Sequence, residues 1–238
     1  MPSDRPTHDI AMRNAPGRKG LRAGEIDVTA CVEGIILAAG LSIRMGRPKL
    51  LIQLHGEPML ARVVKTALKS RLERVILVLA EPAKAYRDAL GQTAVNQRLH
   101  TVINPNPQKG MASSLRVGLS AIRPGTAGAM VILGDQPWLQ VHVIDGLMQT
   151  FLDSSSRIAV PTVRGRRTTP VIFPSDLFPE LMNETGDVGG RNVLNRHCDK
   201  IVYSELGSGY DDSDFDTPED LKRTRPMLSL DGDTSEIL

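Results

Sequence analysis

The stretch Gly34–Leu51 reads GIILAAGLSIRMGRPKLL. It opens on Ile35, Ile36 and Leu37, an apolar run of the kind found in strands buried on both faces of a sheet. Ala38, Ala39 and Gly40 break that run, and the following residues bring Arg44, Arg47 and Lys49 with no acid between Gly34 and Gly56. Like charges in a short loop repel, so the pattern calls for an anion. Gly40 and Gly46 let the backbone turn tightly, so that N–H groups can face phosphate oxygens. Arg44 can hold a phosphate through two parallel bonds, and Lys49 adds a point charge. A solvated loop with surface cations would contain the same residues. Two familiar glycine loops are excluded. Gly40 and Gly46 are separated by five residues and Lys49 lies beyond a further two, which is not P-loop spacing, and Gly-x-Gly-x-x-Gly is absent here.

Outward from this stretch, apolar runs alternate with helical patterns. Val32–Ala38, Arg74–Ala80, His100–Asn104 and Ala129–Asp135 read as strands. Pro58 is expected to open a helix whose face carries Met59, Leu60, Val63, Val64, Ala67 and Leu68. Further helices are expected from Pro82 to Leu90, from Met111 to Ile122, from Val141 to Leu152, over Ser175–Met182 and Val188–Arg196, and from Thr217 to Arg223. Strands from Arg157 and Pro170 flank a basic turn, Arg164-Gly165-Arg166-Arg167, and KIVYSE gives a late strand. This alternation implies an α/β fold, a single domain with a mainly parallel sheet and helices on both faces. Residues 31–225 form that domain, with a mobile N-terminal extension over 1–30 and a C-terminal tail over 226–238.

Composition narrows the function. The chain has 238 residues, 41% hydrophobic and 24% charged, as in ordinary soluble domains. A net charge of +2 and 3% aromatic residues argue against nucleic-acid partners, so the positive charge is local to the loop. No apolar run approaches a membrane span. Two distant cysteines, Cys31 and Cys198, suggest neither a disulfide framework nor a metal site, and a reducing cytoplasm is expected.

In open α/β sheets ligands sit beyond the carboxyl ends of the strands, which directs attention to Ala38–Lys49, Asn104–Ser114 and Gly134–Pro137. Asp135 follows an apolar strand and is placed to hold Mg²⁺, although Asp in such a turn also makes an Asx turn or caps the next helix. Asp214 and Asp216 alternate along a short extended stretch, and Asp216 also reads as a helix cap before Thr217-Pro218. The five histidines form no pattern of metal or triad chemistry, and Ser113 and Ser114 lack a nucleophile-elbow context.

The run Leu37–Lys49 resembles the LxAGxSxRMGxxK signature of MobA-like nucleotidyltransferases. NPNPQKGMASSL, GDQP, GDVGGR and DFDTPEDL are similar to that family's later motifs, so the resemblance covers roughly Gly34 to Arg223. It implies a Rossmann-like nucleotidyltransferase domain whose cations hold the triphosphate of an NTP. Carried over residue by residue, Arg44, Lys49 and Asp135 would be catalytic. Leu37, Ala38, Ala39, Gly40, Ser42, Gly46, Asn104, Gly110, Ser113 and Ser114 would bind the nucleotide. Thr169, Pro170, Asp187 and Arg191 would face the acceptor, and Asp135 with Asp216 would hold Mg²⁺. The Ala-Ala-Gly form, the single glycine after Met45, GDVGGR and DFDTPEDL resemble the molybdenum cofactor cytidylyltransferase branch. That branch implies CTP as donor, with the Ala39 methyl beside the base, molybdopterin as acceptor and a client molybdenum hydroxylase. Thr168-Thr169-Pro170 departs from that branch, which usually has Gly-His-Pro or Gly-Asn-Pro. Transfer to another phosphorylated acceptor, such as a sugar 1-phosphate, and a noncatalytic cofactor carrier remain alternatives.

Overall fold

A computed structural model describes residues 31–40, 48–154, 157–207 and 210. The N-terminal extension, Ser42, Arg44, Gly46, Asp216, the helix expected from Thr217 and the C-terminal tail lie outside the described residues.

The strand Val32–Leu37 (β1) is buried along its whole length because it occupies the middle of the sheet. It pairs in parallel with Val75–Ala80 (β4) on one side and Gly128–Leu133 (β6) on the other. Leu99–Asn104 (β5) extends the sheet beyond β4, again in parallel. Apolar residues on consecutive positions suit strands covered on both faces. Gln53–Leu54 (β2) and Glu57–Pro58 (β3) form a small separate hairpin just after the first loop.

Beyond β6 the sheet departs from all-parallel pairing. Val171–Pro174 (β9) runs antiparallel between β6 and Ile158–Val163 (β7). Ile201–Leu206 (β10) closes this edge in parallel with β7, and the short Arg166–Arg167 (β8) folds back on β7 as a hairpin around Arg164 and Gly165. The spatial order among the described residues is β10-β7-β9-β6-β1-β4-β5, so the sheet is mainly parallel as expected. The inversion has a simple cause. A parallel crossover needs a dozen or more residues, whereas only a tight basic turn and Thr168–Pro170 separate β7 and β8 from β9.

The helices Met59–Lys69 (α1), Lys84–Leu90 (α2) and Val141–Asp153 (α4) cover one face. Leu60, Val63, Val64 and Ala67 of α1 pack with Leu77 and Ile132 of the sheet and Ile144 of α4. Burying a side chain such as Leu60 contributes about 1.5–3 kcal/mol. Met111–Ser120 (α3), Phe178–Met182 (α5) and Arg191–Arg196 (α6) cover the other face, with Leu115, Leu119, Phe173, Leu181 and Val193 at its centre.

Several boundaries differ from the sequence expectation. Pro58 is the extended residue before α1 rather than its first helical residue, because it still pairs with Gln53. The helix expected from Pro82 starts at Lys84, and α6 starts at Arg191. Ser175–Leu177 is a 3-10 turn leading into α5. β6 stops at Leu133, leaving Gly134 and Asp135 in the turn beyond it.

Candidate active site

β6 and β1 are neighbours in the sheet and β5 lies beyond β4, all running parallel, so the loops leaving β1, β5 and β6 rise from the same end of the sheet. Gly134 brings the first and third together. Its N–H donates to the Leu37 carbonyl at 3.0 Å, and a methyl group on Gly134 would stand 3.2 Å from the Ala38 methyl. The turn carrying Asp135 is thereby held against the start of the cationic loop.

Lys49, at the first position of a 3-10 turn (Lys49–Leu51), reaches across to that turn. Its Nζ donates to Asp135 Oδ2 at 2.6 Å, with the two side chains 15% and 20% exposed. A charge-assisted bond of this length in a partly buried setting is far stronger than a surface ion pair. The sequence signature named both residues, and the fold brings them into contact across 86 positions.

The backbone of Leu37–Gly40 forms the floor beside them. Ala38 N–H donates to the Val78 carbonyl at 2.9 Å, continuing the β1–β4 pairing past Leu37. Ala39 is 3% exposed, and its methyl packs within the cluster beneath the α3 face. A contact between that methyl and a base is therefore not what this position offers, and the steric ground for a pyrimidine does not lie there. Gly40 is exposed, with open space around it.

Asn104, at the end of β5, is 2% exposed and organises the second loop. Its Nδ2 donates to Ser113 Oγ at 2.8 Å and Ser114 Oγ at 3.0 Å, while its Oδ1 accepts from the Asn106 N–H at 2.9 Å. Ser113 Oγ lies within donating distance of the Asn106 and Gly110 carbonyls. These three side chains brace one another, which shapes the backbone from Asn104 to Gly110 at the mouth of the site.

The segment from Glu184 to Gly190 docks on the start of α3. Gly110, at φ +84°, faces the Gly186–Asp187 backbone so closely that no side chain fits between. Gly186 O accepts from the Ala112 N–H at 3.0 Å, and Asp187 Oδ1 accepts from the Met111 N–H at 3.1 Å. Asp187, expected on the acceptor side, thus also caps a helix from outside its own element, meeting one of the N–H groups a helix start leaves unsatisfied. Glu184, 6% exposed, anchors the segment at its other end by accepting from Arg196 Nη2 at 2.6 Å and Asn192 Nδ2 at 2.8 Å. Glu180 accepts from Arg196 Nε and lies 2.6 Å from His197 Nε2, and these bonds hold its carboxyl below the usual range, His197 first and Arg196 second. Arg191 is exposed at the start of α6.

Thr169 and Pro170, joined by a cis peptide bond, lie in the short connection from β8 into β9. The Thr169 hydroxyl donates to Gln136 Oε1 at 2.6 Å. Gln136 is 5% exposed and follows Asp135 directly, so the Thr169 loop and the Asp135 turn share a partly buried hydrogen bond. Sequence reasoning missed Gln136 and Glu184. The first signal for Gln136 was its place inside GDQP; nothing local marked Glu184.

The donor chemistry fits a hard cation. Asp135 offers a partly exposed carboxylate at a strand end, and Mg²⁺ binds through one or two carboxylates with phosphate and water supplying the rest. Among the described residues there is no cluster of three His, Cys, Asp or Glu side chains that would hold a metal by itself. No helix among them is long and apolar enough to cross a membrane.

Comparison with known proteins agrees with this geometry. Residues 34–201 match the model of the MobA-like NTP transferase domain. Purine catabolism protein PucB of Bacillus subtilis (strain 168) is 33% identical over 203 residues, covering 82% of this chain and 97% of its own. Nicotine blue oxidoreductase of Paenarthrobacter nicotinovorans is 29% identical over 210 residues, covering 84% and 98%. Among solved structures, Rv0371c of Mycobacterium tuberculosis H37Rv superposes with a TM-score of 0.72 at 26% identity, covering 82% of this chain and 96% of that one.

Proposed function

The chain belongs to the MobA-like NTP transferase family and is a nucleotidyltransferase, and we propose that it transfers CMP from CTP to the phosphate of molybdopterin, releasing pyrophosphate. The observation that carries the chemistry is the contact of Lys49 with Asp135 at the adjoining ends of β1 and β6. One group suits phosphate oxygens and the other suits a cation bound to them. The choice of CTP and molybdopterin rests on GDVGGR, DFDTPEDL and the Ala-Ala-Gly form of the first loop.

A phosphate monoester carries about 1.5–2 negative charges at neutral pH, so as an acceptor it needs no general base. An acceptor oxygen attacks the α-phosphorus in line. The new O–P bond forms as the bond to the bridging α,β oxygen breaks, and the electron pair leaves with pyrophosphate. Lys49, with Arg44 from the same loop, neutralises the triphosphate and the departing pyrophosphate. Asp135, joined by Asp216, would hold a divalent metal, Mg²⁺ in the first instance, which supplies charge neutralisation at the phosphates. The backbone from Asn104 to Gly110 frames the nucleotide, and Thr169, Pro170, Asp187 and Arg191 border the acceptor. Catalysis in such a site is positioning and electrostatics rather than proton transfer. The setting proposed is cytoplasmic, with residues 31–225 as the working domain and a molybdenum hydroxylase as client.

The experiment is kcat/KM for CTP, GTP and ATP with molybdopterin and with a sugar 1-phosphate under matched Mg²⁺, alongside an assay of oxidoreductase turnover on nicotine blue. CTP with molybdopterin should dominate. A preference for GTP moves the chain to the guanylyl branch, and turnover confined to the sugar phosphate replaces the acceptor. Redox turnover alone would align the chain with its Paenarthrobacter relative.

A further inference from the structure

We infer that the site takes up its divalent metal only as a metal–nucleoside triphosphate complex, because Lys49 competes with a free ion for Asp135. This rests on the nucleotidyltransferase reading of the same site. In this structure the two groups that the reaction needs on separate partners are bound to each other, Lys49 Nζ to Asp135 Oδ2 at 2.6 Å. At 15% and 20% exposure the pair is screened much less than a surface ion pair. A free Mg²⁺ or Mn²⁺ arriving at Asp135 meets an ammonium already on that carboxylate. It must share the carboxylate with a like charge or displace Lys49 from it.

A metal–triphosphate meets a different balance. It brings net negative charge, and its phosphate oxygens offer Lys49 a new anionic partner while the ion takes the carboxylate. Both charges stay paired throughout the exchange, and no covalent bond changes. Lys49 therefore acts with opposite sign on two ligands: it opposes the free ion and favours the ion bound to nucleotide. An ordinary phosphate-binding lysine remote from the metal ligand would affect only the second.

The test is binding of Mn²⁺ to the full chain, followed by loss of the free-ion electron paramagnetic resonance signal. Titrations are made without nucleotide and with α,β-methylene-CTP, on wild type, Lys49→Met, Lys49→Gln and Lys49→Met/Asp135→Asn, each checked for fold by circular dichroism. The lysine variants should bind free Mn²⁺ about tenfold more tightly than wild type and the Mn²⁺–nucleotide about tenfold more weakly, as expected for removing one close charge from a weakly screened site. The double variant should lose the gain for the free ion. Unchanged or weaker binding of free Mn²⁺ by both lysine variants overturns the competition. A wild type that binds free Mn²⁺ normally but never its nucleotide complex overturns the nucleotide reading instead, and the two failures are told apart by the ligand affected.

Discussion

The junction between Gly110 and Gly186 is the point where one added methyl group reports on the assembly of the site. In Gly110→Ala the new carbon would stand 2.6 Å from the Gly186 carbonyl carbon and oxygen and 2.8 Å from the Asp187 nitrogen. These are backbone atoms, so no side-chain rotation relieves the overlap. At φ +84° and ψ −178°, a region open in practice only to glycine, a side chain also carries a cost of about 1–3 kcal/mol. Moving the 184–190 segment away would break the bonds from the Ala112 and Met111 N–H groups, each worth about 0.5–1.5 kcal/mol net. The total is roughly 3 kcal/mol, which in a domain of this size lowers Tm by about 6–12 °C. Thermal unfolding by circular dichroism gives the shift, and hydrogen exchange at the Met111 and Ala112 amides locates it. A Tm within about 1 °C of wild type, with protection at both amides unchanged, would refute the packing argument and release the Glu184–Gly190 segment from the site.

Other outcomes follow from the same contacts. Lys49→Ala and Asp135→Asn should each lower turnover by about 100-fold or more, the scale seen when one transition-state electrostatic contact is removed, with the fold retained by circular dichroism; activity within a few-fold of wild type would remove the pair from the chemistry. Chelation with EDTA should abolish turnover and Mg²⁺ should restore it, as measured by pyrophosphate release before and after readdition. The Glu180 carboxyl is held below its usual range by His197 and Arg196, so its contribution to stability is present above the ordinary carboxylate pKa and fades as pH falls through the lower folded value. Wild type should therefore melt above Glu180→Gln at pH 7, and the difference should vanish in acid; a gap that persists or widens in acid contradicts the assignment.

Much of the fold was legible because buried strands leave continuous apolar runs. β1, β4 and β6 each announced themselves that way, and the paired loops at their carboxyl ends pointed to Lys49 and Asp135. What the sequence did not show was set by distant partners. β9 lies antiparallel between β6 and β7, and no periodicity in Val171–Pro174 distinguishes that from a parallel strand. Asp187 finds the Met111 N–H across 76 positions and Thr169 finds Gln136 across 33, pairings that neither spacing nor composition encodes. The resemblance places Asn104, Ser113 and Ser114 at the nucleotide, and in the fold their polar atoms hold one another in a buried cluster. The resemblance sets Ala39 beside a base, whereas it lies in the core, because β1 continues its pairing one residue past its last strand position. In each case local chemistry was readable and direction was not, since direction depends on what packs from elsewhere in the chain.

The central claim is that a nucleoside monophosphate ends up joined to a phosphorylated acceptor at the Lys49–Asp135 site. The most direct measurement is mass spectrometry of the product formed from CTP, Mg²⁺ and molybdopterin, with pyrophosphate counted in parallel. The account predicts a cytidylylated pterin and pyrophosphate in equal amounts, neither appearing when the acceptor is left out. Pyrophosphate released without any nucleotide–acceptor adduct, or no release with any NTP and acceptor, would contradict it.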